Sequence, residues 1–164
     1  MHKVAGPAEV LTMSEILIRR AENADLEAIV AMLADDALGR ARENASLPLA
    51  RAYQDAFAAI DGNPDQFLAV MTHGAEVIGT LQISFLPGLS LQGAWRGQIE
   101  AVRVAANRRG ERLGQRLLEW AIEKCRERGC RIVQLTTNKS RLDAHRFYER
   151  LGFKASHIGY KLGL

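Results

Sequence analysis

Arg109-Gly110-Glu111-Arg112-Leu113-Gly114 decides how this chain is read, because of what stands on either side of it. Before it, Ile99-Glu100-Ala101-Val102-Arg103-Val104 alternates and is β-branched, the pattern of a strand. After it, apolar residues at 113, 117, 118, 121, 122 and 125 keep the spacing of one helical face. A basic, glycine-containing turn therefore opens a helix straight after a strand. The unpaired N–H groups of a helix's first turn and the positive end of its dipole favour an anion there. Glycine lets the backbone approach a ligand that a Cβ would fend off. The turn ends neither as a P-loop nor as a G-x-G-x-x-G dinucleotide fingerprint, so alone it points only to a phosphorylated ligand or to an ordinary tight turn.

Working outward, the 164 residues fit one domain, with 1–13 as a loose tail and 14–164 as the folded unit. A 48% apolar, 25% charged composition is that of a globular protein. The net charge of +3 favours an anionic ligand but lacks the basic density of a dedicated nucleic-acid binder. Arg108, Arg109, Arg112 and Arg116 cluster where cations oppose the helix dipole, which calls for a compensating anion. Cys125 and Cys130 form no C-x-x-C motif and read as reduced core residues in a cytoplasmic protein. No apolar run reaches membrane-spanning length, and the first residues do not resemble a signal peptide. Met13 is an alternative start to Met1.

Ile16–Arg20 reads as a strand. Asn23 caps a helix over 24–36 with Leu26, Ile29, Val30 and Leu33 inward. A polar loop over 39–47 leads to a helix from Pro48 to Ile60, stopped by Asp61-Gly62-Asn63-Pro64. Strands over 67–71 and 76–85 turn at His73-Gly74, and 87–97 is a long loop. The strand at 98–104 and the helix at 111–128 follow, with Gly129 just past its end. A strand over 131–136, a helix capped by Asn138 or Ser140 and ending at Arg150, and a last strand over 154–162 complete the chain. The order is βααβββαβαβ, an α/β mixture with hairpins first and a parallel crossover later.

This order, the Val102-x-Val104 strand end, the Arg109-Gly110-x-x-x-Gly114 turn and the late Ala144-x-x-Phe147-Tyr148-x-x-x-Gly152-Phe153 segment resemble the GNAT superfamily of acetyl-CoA-dependent N-acetyltransferases. The resemblance runs over residues 16–164. It implies an α/β (α+β) fold: a mixed, mostly antiparallel central sheet of about six or seven strands flanked by about four helices, with a splayed strand pair forming the acyl-CoA cleft. The family's pyrophosphate pattern, Arg/Gln-x-x-Gly-x-Gly/Ala, falls on Arg109, Gly110, Glu111, Arg112, Leu113 and Gly114, with Gln115 following. Arg112 departs from it, since glycine is preferred there; a side chain fits if that position is helical, and Arg112 adds a charge-assisted contact. Backbone groups of Val102, Arg103 and Val104 are implied to bond the pantetheine arm as an added strand would. Arg141 takes the place of a coenzyme-binding asparagine, Asn138 stands three residues earlier, and Phe147 completes the set.

Acetyl transfer needs a deprotonated amine, stabilisation of the oxyanion and a proton for the departing thiolate. By the period of two, Glu100 shares a strand face with Val102 and Val104, near the acetyl end of the coenzyme. It is the candidate base, directly or through water, against a plain surface ion pair. A backbone N–H near Val102 could hold the oxyanion. Tyr148 is the family-matched acid, its phenol pKa about 10, against a packing tyrosine; His145 reads as surface or hinge. Asp36, Arg40, Arg42, Trp95 and Arg96 rim the acceptor pocket, and arginines there suit an amine carrying a carboxylate or phosphate. The expectation is direct transfer to a primary amine in a ternary complex, a small molecule rather than a protein. No metal, membrane or nucleic acid is expected, and a homodimer is left open. The alternatives are a catalytically silent acyl-CoA-binding sensor on the same fold, and a nucleic-acid binder, which the lack of any recognition-module signature opposes.

Overall fold

A computed structural model describes residues 16–35 and 37–164. The expected N-terminal tail, the choice between Met1 and Met13, and Asp36 lie outside these residues. Five strands, β1 (Ile16–Arg20), β2 (Gln66–His73), β3 (Glu76–Leu86), β4 (Arg96–Val104) and β5 (Ile132–Leu135), form one sheet in that order. β1 to β4 pair antiparallel, and β5 lies parallel to β4. The helices are α1 (Leu26–Ala34), α2 (Ala37–Arg40), α3 (Arg51–Asp61), α4 (Ser90–Gly93), α5 (Leu113–Glu127) and α6 (Leu142–Arg150).

Strand alternation sends apolar side chains to two faces, and both are covered in part. One face presents Ala69, Met71, Leu81, Ile83 and Ile99 to Leu113, Leu117, Leu118, Ala121 and Cys125 of α5. Leu117 and Leu118 are wholly buried, each worth about 1.5–3 kcal/mol of transfer free energy. The contact is close enough that a Cβ on Gly97 would lie 2.2 Å from the Cys125 sulfur, so only glycine fits where β4 passes under α5. The other face sends Leu68 and Val70 toward Ile29 of α1 and Phe57 and Ile60 of α3. Leu26, Val30 and Leu49 close that layer. Cys125 is buried, Cys130 half-buried, and both are free thiols. No described helix is long and apolar enough to cross a membrane.

The sequence expectations hold for most elements and fail at defined places. Glu22, not Asn23, caps the first helical segment, a 3-10 turn over Asn23–Asp25 that precedes α1. The reason is Asp25, 6% exposed, whose carboxylate accepts the Glu22 N–H at 2.8 Å and two hydrogen bonds from Arg19 at 2.7 and 3.0 Å. Those Arg19 bonds hold its pKa below the usual carboxylate value against the opposing effect of burial. α3 starts at Arg51 rather than Pro48, because Leu49 turns inward against Leu26 and Val30. The 87–97 loop contains α4, with Leu91 and Gln92 at φ of 55° and 61°. The sheet has five strands because 154–162 does not join it, leaving Ile158, Tyr160 and Leu162 exposed.

Candidate active site

The site begins where two parallel strands part. β4 and β5 pair from Arg96 with Ile132 to Ile99 with Leu135. β4 then runs on to Val104 with no described strand on that side, so its backbone groups face an opening. Within this stretch the pairing with β3 slips: Gln82 opposes Glu100, but Thr80 opposes Arg103. Ala101 and Val102 therefore share one partner position, a β-bulge, and Ala101 sits at φ 54°. A non-glycine residue there costs about 1–2 kcal/mol, and such strain gathers at functional sites.

The bulge overturns the expected face for Glu100. Its extra residue resets the alternation, so Val102 and Val104 pack with Ile99 toward the α5 core. Glu100 is exposed on the opposite face, where its cross-strand partner is Gln82 and Arg103 follows on the same side. It is the first residue beyond the fork.

After β4, a 3-10 turn over Ala106–Arg108 leads into the glycine turn. Gly110 has φ 90° and Arg112 φ 58°. Arg112 is the N-cap of α5 in the left-handed region, not a helical residue as the tolerance for its side chain required. A left-handed cap explains the family's glycine preference there. Between this turn and α6 lies a cleft of about 650 Å³ lined by Val104, Arg108, Arg109, Gly110, Arg112, Leu113, Gly114, Gln115, Phe147, Arg150 and Leu151. A second hollow of about 280 Å³, lined by Val102, Arg103, Val104, Arg109 and Arg141, shares Val104 and Arg109 with the first. Together they follow the free edge of β4 toward the α5 N-terminus.

Part of the arginine cluster has protein anions. Arg108 donates to Glu111 at 2.8 and 3.0 Å, and Glu111 is not among the residues that line the cleft. Arg109 pairs with Asp35 at 2.6 Å, and Arg116 donates to the Ile16 carbonyl at 3.1 Å. Among the described residues Arg112 and Arg150 make no ion pair. Arg150 was not singled out by the sequence reading, although Phe147, Arg150 and Leu151 keep the spacing of one helical face.

α6 also carries Tyr148, which lines neither hollow but feels the charges of Arg103 and Arg141, two residues that line the smaller one. Its half-buried ring meets Phe153 edge-on at 6.1 Å and tilts against Phe147 at 5.3 Å. Burial pushes its phenol pKa up, and the charges of Arg141 and Arg103 oppose that shift. Asn138 lines neither hollow: its side-chain oxygen accepts from the Ser140 N–H at 2.9 Å and hydroxyl at 2.8 Å, an Asx turn that forms the connection before α6. His145 contacts the Asn138 carbonyl through Nε2 at 3.0 Å, which makes it a brace for that turn. Of the acceptor-rim residues, Arg40, Arg42 and Arg96 are exposed. Trp95 lies 4.4 Å beneath the Arg128 guanidinium and packs on the core.

The sequence matches the Acetyltransferase (GNAT) family over residues 26–153. It is 35% identical over 114 residues to an aminoalkylphosphonate N-acetyltransferase of Salmonella typhimurium, covering 70% of this chain and 73% of that protein. The crystal structure of a transcriptional regulator from Bacillus halodurans C-125 is similar at 49% identity and a TM-score of 0.89, covering 92% of this chain and 100% of that chain. A predicted acetyltransferase from Clostridium acetobutylicum, solved with acetyl-CoA, shares the fold at 16% identity and a TM-score of 0.71, covering 91% and 96% of the two chains. The chain belongs to the GNAT family of acetyltransferases and is an acyltransferase.

Proposed function

We propose that this acyltransferase moves an acetyl group from acetyl-CoA to the nitrogen of a small primary amine, directly in a ternary complex. The observation that carries this reading is the groove running from the β4–β5 fork to the glycine–arginine turn. The residues present fit the coenzyme: nothing lies within 4 Å of a Cβ built on Gly110, and one on Gly114 would meet only ordinary contacts. Arg112 and Arg150 add two cations that make no ion pair among the described residues at that end.

Bound there, acetyl-CoA would supply an activated thioester and a thiol leaving group. The N–H groups of the α5 first turn, with Arg109, Arg112 and Arg150, would hold the pyrophosphate. The backbone of Val102, Arg103 and Val104, past the point where β5 ends, would hold the pantetheine arm, with Arg141 and Phe147 at its sides. Glu100 takes a proton at its carboxylate from the acceptor's ammonium, through water, as its exposed place suits. Tyr148 gives a proton at its hydroxyl to sulfur; burial keeps that phenol protonated at neutral pH. A backbone N–H at the Ala101–Val102 bulge serves the carbonyl oxygen.

The acceptor we favour carries an anion beside its amine. The relative named for aminoalkylphosphonates has that chemistry, and Arg40, Arg42 and Arg96 are exposed cations on the segments expected to rim the acceptor. Two free thiols fit a reducing, cytoplasmic setting. The test is thiol release from acetyl-CoA over a panel of primary amines with and without phosphonate, phosphate or carboxylate groups. Amine-dependent release, strongest with an anionic substituent, is expected. Coenzyme binding with no release on any amine would instead establish the silent sensor.

A further inference from the structure

The face of the sheet turned away from α5 changes character across the strands. Over β2 it is apolar, where Leu68 and Val70 lie under Ile29, Phe57 and Ile60. Toward the fork it turns polar. One row of directly opposed residues crosses four strands as Gln66, Ser84, Gln98 and Gln134. Gln82 and Glu100 oppose each other in the next row. Ile99, 1% exposed, points into the α5 core, so Gln98 and Glu100 on either side of it share the far face.

This floor is neutral up to Glu100, and its hydrogen bonds are made within it. Gln66 Oε1 accepts from Gln82 Nε2 at 2.9 Å and from Ser84 Oγ at 2.8 Å. Gln98 Oε1 accepts from Gln134 Nε2 at 2.7 Å. An amide side chain carries two N–H donors and a two-lone-pair oxygen, so these bonds use only part of its capacity. Among the described residues Gln66 Nε2, Gln98 Nε2, Gln82 Oε1 and Gln134 Oε1 have no hydrogen-bond partner, and none of them is buried. The four glutamines are half-buried and Ser84 is buried, so the floor is sheltered but open. Neutral amides with spare bonds, rather than charges or apolar groups, are what fix the orientation of an uncharged polar ligand.

We propose that this glutamine floor selects the acceptor: it takes neutral hydrogen-bonding groups, hydroxyl or amide, on the skeleton that follows the amine. With acetyl transfer as proposed above, on which this assignment rests, the amine lies at Glu100. Gln98 stands two residues before Glu100 on the same face, and the exposed Arg96 two before that, in steps of about 6.6–6.8 Å. The atoms next to the amine therefore lie over the Gln98–Gln134 and Gln82–Gln66 pairs, and an anionic group lies toward Arg96. A plain methylene chain would displace water from these amides and return no hydrogen bond, and a site built this way rejects it.

The test uses wild type, Gln98→Met and Gln134→Met on aminoalkyl phosphonates of matched length whose chains are plain, hydroxylated or interrupted by one amide. Methionine keeps the length and unbranched shape and removes the amide. Thiol release at saturating acetyl-CoA gives kcat/KM, and titration calorimetry gives acceptor affinity for the CoA-bound protein. Each hydrogen bond gained is worth about two- to tenfold, so wild type should favour a polar chain over the plain one by about four- to a hundredfold. Each methionine variant should cut that ratio two- to tenfold through acceptor KM and Kd, with the acetyl-CoA KM unchanged. The hydroxyl and amide arms show which group the floor takes, and a preference for either supports the proposal. Wild type that treats all chains alike or favours the plain one, or variants that keep the full preference, would overturn the floor and leave acetyl transfer standing. Acceptors that bind with the expected preference but release no thiol would support the floor and overturn acetyl transfer instead.

Discussion

Gly114 separates what the glycine turn does for the fold from what it does for a ligand. It is the second residue of α5, and a Cβ there would lie 3.6 Å from Phe147 Cζ and 3.8 Å from Val104 Cγ2, ordinary contacts that force no movement. Glycine in a helix interior costs about 1 kcal/mol relative to alanine, and less in a first turn. Gly114→Ala should therefore raise stability by about 0.5 kcal/mol. Gly114→Glu should be no less stable than wild type, because a carboxylate at a helix N-terminus gains about 0.3–1 kcal/mol from the dipole. Binding should move the other way. A carboxylate about 4 Å from a phosphate charge costs about 1 kcal/mol in water and about 4 kcal/mol at an effective dielectric of 20. Affinity for acetyl-CoA should then fall roughly five- to a thousandfold, with a smaller loss for alanine from bulk alone. Titration calorimetry with acetyl-CoA and thermal unfolding of the same samples read both quantities. A folded Gly114→Glu protein that binds acetyl-CoA like wild type would refute the assignment of this turn.

Glu100→Gln keeps size and hydrogen bonding but removes the base, so kcat should fall about 10²–10⁴-fold with the acetyl-CoA KM unchanged; wild-type turnover at pH 7 would show that the acceptor arrives already neutral. Arg112→Gly relieves the left-handed cap at φ 58° and should stabilise by about 0.5–1 kcal/mol, while acetyl-CoA affinity drops several-fold in low salt; unchanged affinity would remove Arg112 from the phosphate contacts. Burial pushes the Cys125 thiol from 9.0 up to about 12. The folded state holds that proton more tightly than the unfolded one, so this stability is complete below pH 9. It falls by about 1.4 kcal/mol per pH unit as pH rises above that value toward the folded pKa. Urea melts at pH 8 and pH 10 should show the loss, and Cys125→Ala should flatten it.

Much of the fold could be read because its signals are local. The α5 apolar positions 113, 117, 118, 121 and 125 are all buried, and Gly129 has the positive φ expected past that helix. Where the reading failed, a tertiary contact had displaced a local preference. Nothing in Glu100-Ala101-Val102 marks a bulge, because alternation counts residues and a bulge is set by pairing with β3; one extra residue moved Glu100 to the other face. Asn138 looked like a ligand or a cap, but its side chain is taken up by Ser140. Asn23 lost the cap to Glu22 because Arg19, on a neighbouring strand, holds Asp25 in place. Arg112 looked tolerable only under the assumption of a right-handed helical position. Arg150 is legible from its spacing to Phe147, whereas 154–162 alternates like a strand but does not join the sheet.

Tyr148 offers the most direct test of the chemistry, through the stoichiometry of transfer in wild type and in Tyr148→Phe. The substitution removes one hydroxyl and keeps the ring that packs on Phe147 and Phe153. Thiol release and N-acetylated amine, the latter by mass spectrometry, should be measured together with acetyl-CoA and with a thioester of a more acidic thiol. Wild type should form one N-acetyl product per thiol released. Tyr148→Phe should bind acetyl-CoA normally yet turn over slowly, with a deficit that shrinks for the better leaving group. Thiol release without N-acetyl product in wild type, or a Tyr148→Phe enzyme as fast as wild type on both thioesters, would contradict acetyl transfer by this site.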